Sequence, residues 1–382
     1  MNLSIGIVGL PNVGKSTLFN ALLKKTVAFT ANYPFATIEP NVGVFEVPDE
    51  RLPVLAKIVH TQKIVPAAVE FYDIAGLVKG AAEGEGLGNK FLSHIREVAV
   101  IAHVVRLFED DDIIHVQDTV DALRDIQTVE TELIFADLAT LFKQPTSAKA
   151  TAGKKDPKED FRINAVIKLK DHLNAGNPAR SLRLTDEETE QARNLQLLTM
   201  KPEIYVFNVS EEQLSKQDEL KARIQKIMLS LRPKGSNPSE IAASSSTPRN
   251  DWLFLNAKLE NDVLAFSEEE QTEYLAQYQL EETGLNRLIQ TAYETLGLIS
   301  FLTAGELEAR AWTLRRGETA LRASAVIHTD FEKKFIKADI VQFDDFTNLG
   351  GWNNARDQGK VQIVGKDYVM KDGDVVEFKI GG

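Results

Sequence analysis

The sequence contains no cysteine and few methionines or tryptophans, four and three among 382 residues. The absence of cysteine excludes disulfide scaffolds, cysteine-ligated zinc sites and cysteine nucleophiles. No run reaches the roughly 18 apolar residues that a membrane-spanning helix needs. The opening MNLSIGIVGL also lacks the basic region of a signal peptide. We therefore expect a protein of a reducing compartment with no membrane partner.

Positive charge is also scarce, since 44 Lys and Arg stand against 56 Asp and Glu, giving a net charge of −12. A chain of this balance is not expected to coat nucleic acid through its whole surface. From Phe301 onward, however, twelve basic residues nearly balance thirteen acidic ones. Any RNA contact is therefore expected in this C-terminal part, although charge balance is a weak signal and composition scatter is the competing explanation.

Apolar, strand-like runs alternate with helical spacing before residue 117 and again after residue 200. The runs are Leu3–Gly9, Val42–Val47, Ala67–Ile74, Ala102–Phe108, Pro202–Val209 and Trp252–Ala257. This alternation predicts an α/β fold with a mostly parallel sheet that helices cover on both faces.

The length predicts two or three domains, and the patterning suggests where they divide. Residues 118–199 are almost wholly helical in pattern, which indicates a helical hairpin inserted into the sheet domain. We assign that sheet domain to residues 1–117 and 200–298. Short strand-like runs then indicate a small β-rich domain at 299–382.

The strongest motif is GLPNVGKST at residues 9–17, which matches G-x-x-x-x-G-K-[ST] between a predicted strand and a predicted helix. In this motif the backbone N–H groups surround phosphates, the lysine reaches the β- and γ-phosphates, and the serine ligates Mg²⁺. The residues expected to bind nucleotide here are Asn12, Val13, Gly14, Lys15, Ser16 and Thr17. Lys15 is also the predicted catalytic cation.

Two further residues are expected to complete the metal site. Asp73 ends an apolar run and begins D-x-x-G, which places a carboxylate near magnesium and Gly76 near the γ-phosphate. Thr37 lies in the loop before the second predicted strand. A threonine there completes the metal shell only when a γ-phosphate is bound, which makes it a switch.

Base recognition is expected at Asn208-Val209-Ser210-Glu211, with Asn208 and Val209 as contacts. Guanine-specific proteins of this class carry N-K-x-D, whose carboxylate accepts hydrogen bonds from guanine. Here Val replaces Lys and Glu replaces Asp, so guanine selection is weakened. Adenine becomes the favoured base, and guanine read by Glu211 stays as the alternative.

These segments resemble the Obg-like ATPase family, YchF type. The resemblance rests on GLPNVGKST, NYPFATIEPN, DIAGLVKGAAEGEGLGNKFLSHIRE and NVSE, and on the C-terminal FLTAGELEARAWTLRRG and GKDYVMKDGDVVEF. It implies a G domain with a helical insertion and a C-terminal TGS domain of β-grasp type. It also implies a cytoplasmic protein that prefers ATP to GTP and associates with ribosomes. One departure is Asn256-Ala257-Lys258, where the family usually carries a small-residue motif.

The position after D-x-x-G is Leu77, which cannot orient water, so slow intrinsic hydrolysis is expected. The resemblance implies that His115 orients the water instead, and similarity to potassium-activated enzymes implies K⁺ held by Asn12. Three functions remain open at this point: an ATP-hydrolysing switch, a nucleotide-gated ribosome- or RNA-binding module with incidental turnover, and a GTPase.

Overall fold

The computed structural model describes residues 3–27, 41–74, 87–110, 119–145, 157–231 and 251–381. They belong to two compact units. The first comprises the described residues of Met1–Val27, Ile38–Gly43 and Phe71–Leu288, and the second those of Val44–Glu70 and Ile289–Gly382. Within the described ranges no helix is both long and apolar enough to cross a bilayer.

Strands and helices alternate through these ranges. The strands are β1 (Ser4–Val8), β2 (Val42–Glu46), β3 (Ile64–Val65), β4 (Ala68–Asp73), β5 (Val100–Arg106), β6 (Glu203–Asn208), β7 (Trp252–Leu255), β8 (Leu298–Ala304), β9 (Ala309–Arg315), β10 (Phe335–Gln342), β11 (Gln362–Val364) and β12 (Asp374–Ile380). The first helices are α1 (Lys15–Val27), α2 (Arg51–Ile58), α3 (Leu87–Glu97), α4 (Ala122–Phe142), α5 (Pro157–Asn174), α6 (Asp186–Arg193), α7 (Glu211–Leu214) and α8 (Gln217–Ser230). They are followed by α9 (Ala257–Val263), α10 (Glu268–Gln277), α11 (Gly284–Thr295), α12 (Ala320–Ile327), α13 (Thr329–Lys334), α14 (Phe343–Leu349) and α15 (Trp352–Asp357).

One sheet has the strand order β2-β4-β1-β5-β6-β7, and its strands β1, β5, β6 and β7 lie wholly in the first unit. The last four strands in this order are parallel to one another. Every residue of β1 and β5 is buried, as expected for strands that helices cover on both faces. This is the predicted α/β arrangement with a mostly parallel sheet. It brings the loops that follow β1, β5, β6 and β7 to one edge, where ligands bind in such sheets.

The helices between β5 and β6 have a core of their own, as expected of the predicted helical hairpin. Leu138 and Leu141 of α4 pack with Val166 and Leu169 of α5. The helical pattern of the sequence does not distinguish α6 from its neighbours. Its start nevertheless carries a capping box, in which Thr185 and Glu188 bond to each other's backbone N–H groups.

The second unit contains a mixed sheet with the order β11-β10-β12-β8-β9-β3. β8 pairs antiparallel with β9 and parallel with β12, and β10 pairs antiparallel with both β12 and β11. Ala320 and Ala323 of α12 pack with Phe301 and Ile340 from the sheet. The parallel pair β8 and β12 lies at the centre, each strand has an antiparallel partner on its outer side, and α12 packs on the sheet, which makes a β-grasp arrangement as predicted. The added strand β3 pairs in parallel with β9.

Candidate nucleotide site

The phosphate loop joins β1 to α1 in the conformation that its sequence requires. Gly9, Asn12 and Gly14 have positive φ angles of 150°, 63° and 98°. A side chain at Gly9 would collide with the carbonyl oxygen of Val104, so glycine is required there on steric grounds as well. Helix α1 begins directly afterwards, and the N–H of Leu18 donates to the carbonyl of Gly14 at 2.9 Å. The helix N-terminus therefore faces the loop, as anion binding requires.

Lys15 is buried in the loop, with only 8% of its surface exposed. Its Nζ donates to the carbonyl oxygen of Leu10 at 2.7 Å. Burial lowers the pKa of Lys15 to about 8, although the nearby Asp73 carboxylate acts in the opposite direction. Burial likewise raises the pKa of Asp73, against the effect of Lys15. Both groups are therefore poorly hydrated. An anion beside Lys15 and a cation beside Asp73 would each be stabilised there.

The remaining predicted loop residues differ in exposure. Asn12, Ser16 and Thr17 are exposed, whereas the side chain of Val13 is buried. Ser16 lies in the first turn of α1, where its side chain is accessible to solvent. Four predicted positions, Thr37, Gly76, Leu77 and His115, lie outside the described residues.

Asn208 connects the phosphate loop to the loop that follows β7. Its Nδ2 donates to the carbonyl of Val13 at 3.0 Å, and its Oδ1 accepts from the N–H of Ala257 at 3.0 Å. The side chain is 5% exposed, and a Cβ at Gly14 would collide with its Nδ2. Asn208 is therefore placed to hold the loops in position with both ends of its carboxamide, and Gly14 leaves the space that it needs.

The three residues after Asn208 stand where guanine-specific proteins carry K-x-D. The side chain of Val209 is buried in a core that also contains Phe207 of β6, Phe254 of β7 and Ile224 of α8. Ser210 caps α7 in a capping box with Gln213. Glu211 is exposed, and its Oε2 accepts a hydrogen bond from the hydroxyl of Tyr278 at 3.3 Å. The carboxylate at the guanine-reading position thus already has a protein partner.

Two further side chains of this edge were not predicted as site residues. Nε2 of Gln213 donates to the carbonyl of Leu107 at 3.0 Å, which connects the segment after β6 to the segment after β5. The fully buried Arg106 donates to the carbonyls of Phe108 and Asp110 at 3.0 and 3.2 Å. An arginine ending an otherwise apolar strand was the available signal in the sequence. Both side chains fix the start of the acidic segment that leads toward His115.

Known proteins match the chain over almost its whole length. A family model described as a 50S ribosome-binding GTPase matches residues 4–137. The model of the YchF GTPase C-terminal region, described as a protein of unknown function, matches residues 298–381. The ribosome-binding ATPase YchF of Bacillus subtilis (strain 168) is 45% identical over 380 residues, which are 99% of each chain.

The chain belongs to the YchF family. The relative of the same name from Escherichia coli O157:H7 is 44% identical, again over 99% of each chain. The solved structure of the Schizosaccharomyces pombe YchF GTPase is 37% identical and superposes with a TM-score of 0.84, covering 99% of this chain and 98% of that one. The predicted YchF resemblance is confirmed, and so is the P-loop NTPase fold with a C-terminal domain. The two bacterial relatives are named ATPases, and the Schizosaccharomyces pombe protein is named a GTPase.

Proposed function

We propose that this chain is a magnesium-dependent ATP-binding and ATP-hydrolysing switch that acts on or near the ribosome. The bacterial YchF relatives carry names of ribosome-binding ATPases. The observation that carries the proposal is the base segment: Asn208 joins it to the phosphate loop, while Glu211 is engaged by Tyr278. The site therefore combines triphosphate-binding geometry with the loss of guanine-reading groups.

Adenine fits this segment better than guanine. A guanine-reading carboxylate accepts hydrogen bonds from the N1–H and the amine of the base, whereas N1 of adenine is itself an acceptor. The Glu211 carboxylate is bonded to Tyr278, and the lysine position is occupied by the buried Val209. Guanine would thus lose its usual partner, and adenine would avoid a repulsive one.

The donors at the phosphate edge fit a magnesium ion. Ser16 and Asp73 offer a hydroxyl and a carboxylate, the hard oxygen ligands that Mg²⁺ prefers, and we assign Thr37 as the third protein ligand. Burial raises the pKa of Asp73, so an added cation at this point would relieve an unfavourable environment. Bound Mg²⁺ would offset negative charge on the β- and γ-phosphates during transfer.

In the proposed reaction, Lys15 stabilises negative charge that develops on the γ-phosphate, and the loop amides orient the phosphates. We assign His115 to orient the attacking water, because Leu77 has no group that can do so. We further assign Asn12 to a K⁺ ion near the bridge between the β- and γ-phosphates. Its exposed side chain on a left-handed backbone, with φ of 63°, supports that assignment.

We assign residues 1–117 and 200–298 to a G domain, residues 118–199 to a helical insertion and residues 299–382 to a TGS domain. The separate core of the insertion and the β-grasp sheet support this division. We assign any RNA contact to the TGS domain, where charge is nearly balanced. A ribosome-directed switch would operate in the cytoplasm.

Turnover with and without ribosomes tests the proposal. Phosphate release from ATP and GTP is measured at matched concentrations, with and without 70S ribosomes, for the wild type and Lys15→Ala. An ATP switch predicts slow basal release that ribosomes change and that Lys15→Ala abolishes. Release that is unaffected by ribosomes, or equal for Lys15→Ala, would contradict it.

A further inference from the structure

A single carboxamide joins two segments at the base end of the site. Nδ2 of Asn256 donates to the carbonyl oxygen of Val209 at 2.7 Å, and its Oδ1 accepts from the N–H of Leu259 at 2.8 Å. The residue is 9% exposed and is the N-cap of α9. We propose that Asn256 is the positioning residue for base recognition, acting through its hydrogen bond to Val209.

Two hydrogen bonds hold the backbone of Val209 in this orientation. Its N–H donates to the carbonyl of Leu255 at 2.9 Å, and its carbonyl receives the Asn256 bond. Both partners come from the end of β7. The Asn256 carboxamide therefore continues the hydrogen bonding between β6 and β7 by one residue beyond the sheet. It thereby sets the orientation of the peptide group between Val209 and Ser210.

That direction matters because side-chain recognition is weak in this segment. The Val209 side chain lies in the core, Ser210 caps α7, and Glu211 is bonded to Tyr278. Recognition of a base along this segment therefore falls to backbone groups. Backbone groups discriminate only when their direction is held, since a rotated peptide exchanges donors and acceptors.

Asn208 and Asn256 have separate tasks in this arrangement. Asn208 bonds to the phosphate loop through Val13 and to the N–H of Ala257. Asn256 instead joins Val209 to the start of α9. Loss of Asn208 should weaken binding of the whole nucleotide, whereas loss of the Asn256 bond should weaken only the part of the affinity that depends on the base.

Two substitutions separate the bond to Val209 from the helix cap. Asn256→Ser and Asn256→Asp both retain a side-chain oxygen that caps α9, because Ser and Asp are favoured N-caps. Aspartate has no donor in place of Nδ2. The serine hydroxyl is too short to reach the Val209 carbonyl while it caps the helix. Asn261→Ser is the matched control, since Asn261 is a half-buried asparagine of the same helix whose Oδ1 accepts a hydrogen bond from Lys24.

The experiment measures equilibrium affinity for Mg-ATP, Mg-GTP and Mg-tripolyphosphate, the last having no base. Leaving the buried Val209 carbonyl without its partner should weaken ATP binding by between about 5-fold and 100-fold. Tripolyphosphate binding should stay within about twofold of wild type in both variants, because the phosphate contacts are intact. Asn261→Ser should match the wild type for all three ligands.

The inference rests on the proposed ATP site, and the same data separate the two failures. Equal losses for ATP and tripolyphosphate would show that Asn256 only supports the fold and would overturn the inference, as would unchanged ATP binding. A wild type that binds ATP no more tightly than GTP would instead defeat the proposed function. If Asn256→Ser does not fold, as judged by thermal unfolding, Asn256→Asp decides the matter.

Discussion

A buried ionic cluster between the sheet and the helical insertion offers a direct test of how the two are joined. Arg180 lies 2.6 Å from Oε2 of Glu203 at the start of β6, and it also pairs with Glu130 of α4. Nδ1 of His103 lies 2.7 Å from Oε1 of Glu203, and the hydroxyl of Tyr205 completes the cluster. One guanidinium thus holds two carboxylates from different parts of the first unit.

The charge state of Glu203 sets the expected magnitude. Burial favours its neutral form, but the Arg180 charge and the bonds from His103 and Tyr205 prevail and lower its pKa to about 2. Against an ordinary value of 4.5, this difference corresponds to about 3 kcal/mol of stability. Because the folded-state pKa is the lower one, that stability is present above pH 4.5 and is lost as the pH falls toward 2.

Replacing Arg180 with Met leaves the buried Glu203 carboxylate and the partly buried Glu130 carboxylate without this cation, which is expected to cost about 3–5 kcal/mol at pH 7. Adding Glu203→Gln removes one of those charges and should recover part of the loss. Arg223→Met, at an exposed arginine of α8, is the control and should stay within about 0.5 kcal/mol of wild type.

Fluorescence of Trp252 during urea unfolding at pH 7 and pH 4 measures the effect on the first unit. Trp312 and Trp352 belong to the second unit and are replaced by Phe in every variant. The difference between wild type and Arg180→Met should be smaller at pH 4 than at pH 7, because the wild type has begun to lose the stabilisation. An Arg180→Met variant as stable as the control, or a double variant no better than Arg180→Met, would refute the reasoning.

Three further predictions concern the nucleotide site. Lys15→Ala and Ser16→Ala should each lower ATP turnover by at least roughly a hundredfold, because each removes an electrostatic stabiliser of the transferring phosphate; near-normal phosphate release would place the active site elsewhere. Glu211→Asp, alone and with Val209→Lys, should raise the ratio of GTP to ATP affinity, since it restores guanine-reading groups; an unchanged ratio in competition binding would contradict this. Single-turnover hydrolysis should be faster in K⁺ than in Na⁺ and slower in His115→Ala with ATP binding retained; equal rates would exclude the cation or the histidine.

The α/β fold could be predicted because the strands of a covered parallel sheet are mostly apolar. β5 is buried at every position, and its sequence stands out between polar segments. Boundaries were less certain where a strand follows a helix without a break: α3 ends at Glu97 and β5 begins at Val100, two residues before the predicted run Ala102–Phe108. Backbone hydrogen bonds to the neighbouring strands decide such boundaries, and the local sequence does not reveal those bonds.

The phosphate site could be predicted because its chemistry is contained in one contiguous motif. The contacts that hold its loops together could not, since they join residues far apart in the chain. Asn208 meets Val13, and Asn256 meets Val209, through side chains whose partners are backbone atoms. A backbone partner leaves no mark in the sequence, so an asparagine that positions a loop looks the same as one that faces water.

Equilibrium binding of ATP and GTP to the wild-type chain in Mg²⁺ tests the central claim most directly. The claim follows from Glu211 being held by Tyr278 and from Val209 replacing the guanine-reading lysine. A competition titration in which each nucleotide displaces the same fluorescent triphosphate measures both affinities on one scale. The account predicts tighter binding of ATP than of GTP, and a GTP affinity equal to or greater than that of ATP would contradict it.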